Sequence, residues 1–362
     1  MRLVAKLGSS SVTEPDGSIS LLTLKDIARQ VSQLRDMGHE VVLVSSGAIA
    51  SGLKSLKIWE RPSDQVVLRA AASVGQGTVI SAYREIFATF SLEVGQLLMI
   101  PGDFAERTQY LHARETLNSL LDFGIIPIIN ENDALSNEQL RYGDNDKVAA
   151  LVANLIGADH LLLLTDQTGL FSADPRGDEE ASLIQEVEEV NSELLEIAGG
   201  AGTDRGSGGM ASKLLAAKMA SWSGVACTIA SAQEPNVAIR VLAGEKFTGT
   251  RVRPRTKRLS ARKVWIAFAC PSSGEIVVDN GARLALLSRG GSLLPAGVVE
   301  VKGVFESGDA VSVESDDGNV FAKGIVQMGS RDILDLKGLG SKDIGGRPYL
   351  EVIHRDHLVL LT

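Results

Sequence analysis

Short apolar runs alternate with helix-forming stretches over roughly the first 245 residues of the chain. The runs are continuous, which is typical of strands buried on both faces of a sheet. They are Leu3–Gly8, Glu40–Ser45, Gly95–Ile100, Ile125–Asn130, His160–Asp166 and Ala226–Ala230. Between them, apolar side chains recur at helical spacing in 24–34, 148–155 and 211–219, and Thr23 with Asp26 predicts a capped start for the first helix. This alternation predicts an α/β fold with a mostly parallel open sheet covered by helices on both faces.

The pattern changes near residue 255. The stretch Arg251–Lys263 carries seven basic residues in thirteen and no acid, and we interpret it as a solvated linker, with a nucleic-acid tether as the alternative. Strand-like runs with glycine turns follow, interrupted by one short helix at Ala282–Leu287, and they predict a small β-rich domain. These runs are Gly274–Asp279, Gly297–Phe305, Ala310–Ser315 and Asn319–Val326. We therefore divide the chain into a first domain at 1–255, a basic linker at 256–262, and a second domain with a C-terminal tail at 263–362.

Composition and charge narrow the function. The 362 residues are long enough for two domains, and the net charge of −9 argues against a general nucleic-acid binder. Cys227 and Cys270 lie far apart without a CxxC motif, which argues against a disulfide framework and against structural zinc. The N-terminal apolar stretch is too short for a signal peptide, and no apolar run approaches the ~18 residues of a membrane span. We therefore expect a cytoplasmic protein that does not bind membranes.

Polar residues collect where the predicted strands end, which is where ligands bind in open α/β sheets. Lys6 lies in the first strand, where a lysine is costly unless it meets an anion, and a glycine-serine loop follows it. A second such loop, GSGGMASK at Gly206–Lys213, opens a predicted helix and is not a Walker A motif. Glycine-rich loops at helix starts let backbone N–H groups approach phosphate oxygens, although a flexible turn would have the same sequence.

The stretch Asn130–Asp146 is rich in acids and amides, and three interpretations compete. A calcium loop is disfavoured because Asp144, Asn145 and Asp146 are consecutive and cannot occupy alternate ligand positions. A polar surface loop remains open, because asparagine and aspartate are common in turns. The third interpretation is a site that binds a cationic group.

These stretches together resemble the amino acid kinase family, and within it the glutamate 5-kinases. The matching stretches are Lys6–Thr13, Val44–Gly52, Ala72–Gln76, Asn130–Ala134, Gly143–Asp146, Thr165–Arg176 and Gly206–Lys213. The segment Gly274–Val298 resembles a PUA domain, a small β-barrel-like module, and a kinase followed by a PUA domain is more specific than any single motif. The departures are Phe171, where the family commonly has tyrosine, and His112, where it often has asparagine.

The resemblance implies ATP-dependent phosphorylation of the γ-carboxylate of L-glutamate to L-glutamyl 5-phosphate, the first step of proline biosynthesis. It implies Mg²⁺ bridging the ATP phosphates, with few or no direct protein carboxylate ligands, and no residue is assigned to the metal. The implied catalytic residues are Lys6, Lys213 and Asp146, with Asp146 organising the two lysines. The implied substrate-binding residues are Ser46, Gly47, Asn130, Asp133 and Asn145, of which Asp133 and Asn145 would hold the amino-acid head group. The implied ATP-binding residues are Lys6, Gly8, Ser9, Thr165, Asp166, Ser207, Gly208, Gly209, Met210, Ala211, Ser212 and Lys213.

The resemblance also implies partners other than glutamate and ATP. These are further copies of the chain in a dimer or tetramer, proline as a feedback inhibitor, and glutamate-5-semialdehyde dehydrogenase, the next enzyme of the pathway. Two kinds of alternative function remain: another kinase of the family, acting on acetylglutamate, aspartate, carbamate or UMP, and an RNA-binding or RNA-modifying PUA protein. The acidic balance and the 4% aromatic content for base stacking argue against the RNA alternative.

Overall fold

The computed structural model describes two units of the chain, Met1–Arg258 and Leu259–Thr362. The described residues are 1–104, 106–135, 145–175, 177–178, 180–199, 209–246, 248–340 and 351–361. Across these ranges no helix combines the length and the apolar character that crossing a membrane requires.

The first unit is built on an eight-stranded sheet. Its strands are β1 Arg2–Leu7, β2 Glu40–Val44, β3 Val94–Met99, β4 Ile126–Glu131, β5 His160–Thr165, β6 Glu186–Val187, β7 Ala226–Ser231 and β8 Thr250–Val252. They lie in the order β3-β4-β2-β1-β5-β7-β8-β6, and every neighbouring pair is parallel except β7 and β8. Every residue of β4 and β5 is buried, so both faces of the sheet are covered at these strands, which is why most of their side chains are apolar. The predicted α/β fold is confirmed.

Nine helices connect or cover the described strands of this unit. They are α1 Ser9–Val12, α2 Leu21–Asp36, α3 Ala48–Ser55, α4 Gln65–Ala88, α5 Arg107–Asp122, α6 Asn145–Leu155, α7 Ser192–Gly199, α8 Met210–Trp222 and α9 Val237–Leu242. The apolar positions predicted for α2 are all buried. Its predicted cap was wrong, because the helix already begins after Ser20 and Thr23 lies within its first turn. Asp26 instead accepts hydrogen bonds from Arg29 and Gln30.

Helices α3 and α4 cross at very short range. A Cβ at Gly52 would lie 1.7 Å from the carbonyl oxygen of Ala71, and one at Gly75 would lie 1.8 Å from that of Ala48. Any larger residue at either position would force the two backbones apart. The crossing therefore brings the middle of α4 close to the start of α3, which directly follows β2.

The second unit contains a five-stranded sheet. Its strands are β9 Gly274–Val278, β10 Val298–Lys302, β11 Ala310–Ser315, β12 Val320–Val326 and β13 Ile353–Leu360. They lie in the order β10-β9-β11-β12-β13, with β9 and β11 parallel and the other pairs antiparallel. Its helices are α10 Ala261–Val264, α11 Asn280–Arg289 and α12 Ser330–Leu336. The four predicted strands and the predicted helix are present, and β13 is an additional strand that the sequence pattern did not predict.

The N-terminal part of the basic stretch Arg251–Lys263 is folded into the first unit. Arg253 forms ion pairs with Glu186 and Glu188, and Arg255 pairs with Glu189. The guanidinium of Arg255 also lies 4.1 Å from the centroid of the Trp222 ring. Since these two arginines are held by acidic and aromatic partners, they are part of the folded unit and not of a solvated linker.

Candidate active site

Four neighbouring strands end at one edge of the first sheet, and the implied site residues lie there. Because β4, β2, β1 and β5 are adjacent and parallel, their carboxyl ends meet at the same edge. Asn130 and Lys6 are the second-last residues of β4 and β1, and Thr165 is the last residue of β5. Helix α6 begins at Asn145, and α8 begins at Met210. The fold therefore assembles one polar edge from segments that are far apart in the chain.

Lys6, Asp146 and Lys213 form what we call the charged cluster. Lys6 Nζ lies 2.6 Å from Asp146 Oδ1, and Lys213 Nζ lies 3.3 Å from Asp146 Oδ2. The carboxylate of Asp146 is completely buried, and the two lysines are only 4% and 5% exposed. One carboxylate and two ammonium groups give these three side chains together a net charge of +1.

The surroundings of the charged cluster are buried as well. Ser212 Oγ lies 3.5 Å from Asp146 Oδ2. Burial, together with the negative charge of Asp146, raises the pKa of the Cys227 thiol well above its usual range, so this cysteine stays protonated. Within the described ranges, no three His, Cys, Asp or Glu side chains group closely enough to hold a metal ion. The two ammonium groups of the charged cluster, each held by the same carboxylate, can bind an anion at this edge.

Ser46, Gln76, Asn130 and Asn145 form what we call the amide cluster. Asn145 Nδ2 donates to Ser46 Oγ and to Asn130 Oδ1, both at 3.1 Å. The backbone N–H of Glu131 donates to Asn130 Oδ1 at 2.9 Å and to Asn145 Oδ1 at 3.1 Å. Asn130 Nδ2 donates to Gln76 Oε1 at 2.8 Å. The cluster is uncharged. Its hydrogen bonds connect the segments that follow β2 and end β4 to the start of α6 and to the middle of α4.

Gly47 allows the chain to turn directly from Ser46 into α3. Its φ of 95° is in the left-handed region, which favours glycine. A Cβ at this position would lie 2.8 Å from Thr13 Cγ2. Glycine is therefore required both by the backbone conformation and by the close approach of Thr13.

A cavity of about 320 Å³ adjoins the amide cluster, and Asp133 and Gln76 both line it. Burial raises the pKa of Asp133 to about 6, although the positive charge of Arg61 acts in the opposite direction. The other residues that line the cavity are Ala72, Ser73, Gly77, Leu98, Glu131, Asn132 and Ala134. A carboxylate desolvated in this way gains from meeting a cationic group.

The residues implied for ATP lie on the β1, β5 and α8 side of the same edge. Thr165 is buried, and its hydroxyl donates to Asp166 Oδ1 at 2.9 Å. Gly8 precedes α1 in an extended conformation, and a Cβ there would lie 3.8 Å from Lys6 Nζ. Ser9 is the first residue of α1. Gly209 precedes α8, whose first turn contains Met210, Ala211 and Ser212, whereas Ser207 and Gly208 lie outside the described residues.

The structure also identifies contributors that sequence reasoning missed. Gln76 ends the stretch Ala72–Gln76, which resembled the family, yet the sequence suggested no role for it. Tyr83, two turns further along α4, is completely buried and donates from its hydroxyl to Ser45 Oγ at 3.0 Å. The family-like stretch and the position of Gln76 directly after a glycine in a largely apolar helix were the signals that could have identified this residue, whereas the sequence around Tyr83 contained no such signal.

Two regions of the chain match known protein families. Residues 1–231 match the model of the amino acid kinase family, and residues 274–345 match the PUA domain. The chain belongs to the amino acid kinase family. A glutamate 5-kinase of Caldanaerobacter subterraneus subsp. tengcongensis is 44% identical over 100% of this chain and 98% of that protein. A glutamate 5-kinase of Herpetosiphon aurantiacus is 44% identical over 99% of this chain and 98% of that protein.

A more distant similarity involves a solved structure. The UMP kinase of Bacillus anthracis is 19% identical, with a TM-score of 0.48, over 70% of this chain and 95% of that one.

As an amino acid kinase family member with a PUA domain, this chain has the domain order that its sequence predicted. The charged cluster and the amide cluster both lie within the region that matches the kinase family.

Proposed function

We propose that this chain catalyses the ATP-dependent phosphorylation of the γ-carboxylate of L-glutamate to L-glutamyl 5-phosphate, the first step of proline biosynthesis. The observation that carries the proposal is the pairing of an anion-binding charged cluster with an amide cluster at one sheet edge. The full-length similarity to proteins named glutamate 5-kinase supports the choice of substrate.

The nucleophile is the γ-carboxylate itself. A free glutamate side chain has a pKa near ~4.3 and is ionised at neutral pH, so the reaction needs no general base. One carboxylate oxygen forms a bond to the γ-phosphorus of ATP, and the bond from that phosphorus to the bridging β,γ oxygen breaks. The leaving group is ADP. The main obstacle is the repulsion between an anionic nucleophile and an anionic phosphoryl group.

The charged cluster counters this repulsion. Lys6 and Lys213 hold their ammonium groups in a buried setting, where electrostatic interactions are stronger than in water. Asp146 holds both lysines in place before the nucleotide arrives, so little reorganisation is needed during the reaction. We assign Lys213 to the transferring phosphoryl group and the leaving phosphate, and Lys6 to the same phosphates from β1.

Nucleotide binding uses the neighbouring loops. We assign Gly8, Ser9, Thr165, Asp166 and the segment 207–213 to ATP. Bound Mg²⁺ would neutralise part of the phosphate charge. We propose that few or no protein carboxylates would hold this ion directly.

The amide cluster and the adjoining cavity bind the amino-acid head group in this proposal. Asp133 provides the negative charge for the α-ammonium group. Asn145 Oδ1 accepts the N–H of Glu131 and, since an amide oxygen has two lone pairs, it can accept an ammonium hydrogen as well. Ser46, Gly47 and Asn130 complete the pocket. The acid-rich stretch 130–146 thus serves to recognise a cation, and its residues 136–144 lie outside the described structure.

Further features remain proposals. The family resemblance supports a homo-oligomer, inhibition by proline and association with glutamate-5-semialdehyde dehydrogenase. The sequence pattern supports a domain division at 255 and 263 and a cytoplasmic location. The PUA domain has no catalytic role in this proposal, because every residue of both clusters belongs to the first unit.

The proposal is tested by supplying ATP and Mg²⁺ with a panel of acidic amino acids and trapping acyl phosphates with hydroxylamine. Glutamate should give hydroxamate and ADP in equal amounts, whereas aspartate and acetylglutamate should give little of either. Absence of glutamate hydroxamate from folded protein, or a clear preference for another acceptor, would refute the assignment. Retention of RNA that weakens with added salt would support the RNA-binding alternative.

A further inference from the structure

Helix α4 reaches the amide cluster through one polar side chain, that of Gln76. The close crossing at Gly75 holds this part of α4 against the start of α3. From there Gln76 Oε1 accepts a hydrogen bond of 2.8 Å from Asn130 Nδ2. Gln76 belongs to the amide cluster, but it has not been given an individual role in substrate binding.

Asn130 is held from both ends of its amide group. A backbone N–H can only donate, so the N–H of Glu131 fixes Oδ1 as the atom on its side. Nδ2 must then point the other way, where Gln76 supplies the acceptor. Asn130 is 1% exposed, and a buried donor that loses its acceptor is costly. Without Gln76, the amide of Asn130 would therefore rotate or shift towards another acceptor.

The orientation of Asn130 determines that of Asn145. Asn130 Oδ1 accepts one of the two hydrogens of Asn145 Nδ2, and Ser46 Oγ accepts from the same nitrogen. If Asn130 turns, Asn145 loses one of these two partners. A change at Gln76 is therefore transmitted through Asn130 to Asn145 and Ser46, which are proposed to bind the amino acid.

We propose that Gln76 is a positioning residue that orients the Asn130–Asn145 pair for binding of the amino-acid substrate. This inference deepens the proposed function and rests on it. Gln76 acts through the two asparagines, so its loss affects glutamate binding more than the transfer of the phosphoryl group, which depends on the charged cluster.

Kinetics of Gln76→Met test the inference, because methionine keeps the length and removes the amide acceptor. The glutamate KM should rise about tenfold, while kcat and the ATP KM change little. Gln65→Met is the matched control, since it makes the same change at the first residue of α4, and it should behave like the wild type. A wild-type glutamate KM in Gln76→Met would overturn the proposal.

A double-mutant cycle separates positioning from direct contact. If Gln76 acts through Asn130, then adding Gln76→Met to Asn130→Ala should raise the glutamate KM no further. Additive increases would mean that Gln76 touches the substrate itself, and the positioning role would be wrong.

A readout without substrate keeps this inference separate from the proposed function. In the ¹⁵N-labelled full chain, the side-chain NH₂ signals of Asn130 and Asn145 are assigned by their loss in Asn130→Asp and Asn145→Asp. In Gln76→Met, the side-chain NH₂ signals of both Asn130 and Asn145 should shift, whereas in Gln65→Met neither should shift. An unmoved Asn145 signal would overturn the relay even if the wild type phosphorylates glutamate. If the wild type does not act on glutamate, the proposed function fails, and these signals still decide whether Gln76 orients the pair.

Discussion

The charged cluster and the amide cluster lie at the same sheet edge but are built from opposite chemistry. The charged cluster uses two ion pairs around one buried carboxylate, and it leaves an excess positive charge. The amide cluster is neutral and uses hydrogen bonds that fix the direction of each amide. Excess charge is suited to stabilising a charged transition state, whereas fixed amides are suited to orienting a substrate. Mutations in the two clusters should therefore affect kcat and KM differently.

Two consecutive residues of the chain belong to different clusters. Asn145 belongs to the amide cluster and Asp146 to the charged cluster, although both lie in the first turn of α6. Successive residues of a helix point about 100° apart around its axis, so neighbours in sequence serve different sites. The start of α6 thus couples the position of the nucleophile to the position of the lysines.

The largest expected effect comes from removing one ammonium group of the charged cluster. Lys213→Ala should lower kcat by roughly 10²–10³-fold, because one preorganised electrostatic contact is lost in the transition state. The glutamate KM should stay within a few-fold of the wild-type value, since the head group is bound elsewhere. Steady-state kinetics on folded protein provide the measurement.

Lys218→Ala is the control for that variant. Lys218 lies on the same helix, with its ammonium group 5.6 Å from the centroid of the Trp222 ring and outside the charged cluster. Its replacement should leave kcat nearly unchanged. Equal losses in both variants would mean that α8 needs its lysines for folding, and a near-normal kcat in Lys213→Ala would remove the residue from the mechanism.

The next largest effect is expected in the amide cluster, and on KM. Asn145→Ala removes the bonds to Ser46, Asn130 and the N–H of Glu131, and it should raise the glutamate KM about 30-fold, or about 2 kcal/mol. The ATP KM should not follow. Asn154→Ala, on the same helix but bonded to Ser223, is the matched control. A loss of kcat in Asn145→Ala without a change in the glutamate KM would mean that the amide cluster contributes to phosphoryl transfer, and that the two clusters do not have separate roles.

A smaller effect should appear as a pH dependence of glutamate binding. Burial raises the pKa of Asp133 to about 6, so the carboxylate is protonated as the pH falls below that value. The glutamate KM should then be about tenfold higher at pH 5 than at pH 7.5, because a neutral acid binds ammonium poorly. Asp133→Asn should have a high KM without this pH dependence, and Asp36→Asn, on the exposed end of α2, should keep the wild-type profile. A flat wild-type profile would contradict the assignment.

The same shift makes a stability prediction. The folded-state pKa of Asp133 lies above the ordinary aspartate pKa of 3.8, so the folded chain binds this proton more tightly than the unfolded chain does. Asp133 therefore lowers the free energy of unfolding as the pH rises from about 4 to about 6. Denaturant titrations should find Asp133→Asn more stable than the wild type at pH 7.5 and closer to it at pH 4.

The smallest effect is expected from removing the second unit. All residues of both clusters belong to Met1–Arg258, so a chain ending at Arg258 should keep kcat and the glutamate KM within a few-fold. The full-length chain in the same assay is the reference. A soluble, folded truncation without transfer at any magnesium concentration would show that the second unit supports the site.

Much of the fold could be predicted from local patterns. The six predicted strands of the first unit agree with the structure to within one residue at each end. Burial on both faces, which favours continuous apolar runs, holds for the inner strands. It was wrong for β3, which lies at the sheet edge and leaves Gln96 and Leu98 exposed. The strands β6 and β8 have two and three residues and are too short to form a pattern. They pair only because the sheet edge provides hydrogen-bonding partners.

The sequence by itself determined the alternation of strands and helices, the change of character near residue 255, and the presence of polar residues at the strand ends. Each of these depends on neighbours within a few positions, where apolar spacing and turn residues act. Only the tertiary structure decided that β1 lies between β2 and β5 and that α6 and α8 begin beside its end, which brings Lys6 and Lys213 against Asp146. Only the crossing of α3 and α4 decided that Gln76 faces Asn130, because a hydrogen bond between residues 54 positions apart depends on packing that no local pattern encodes.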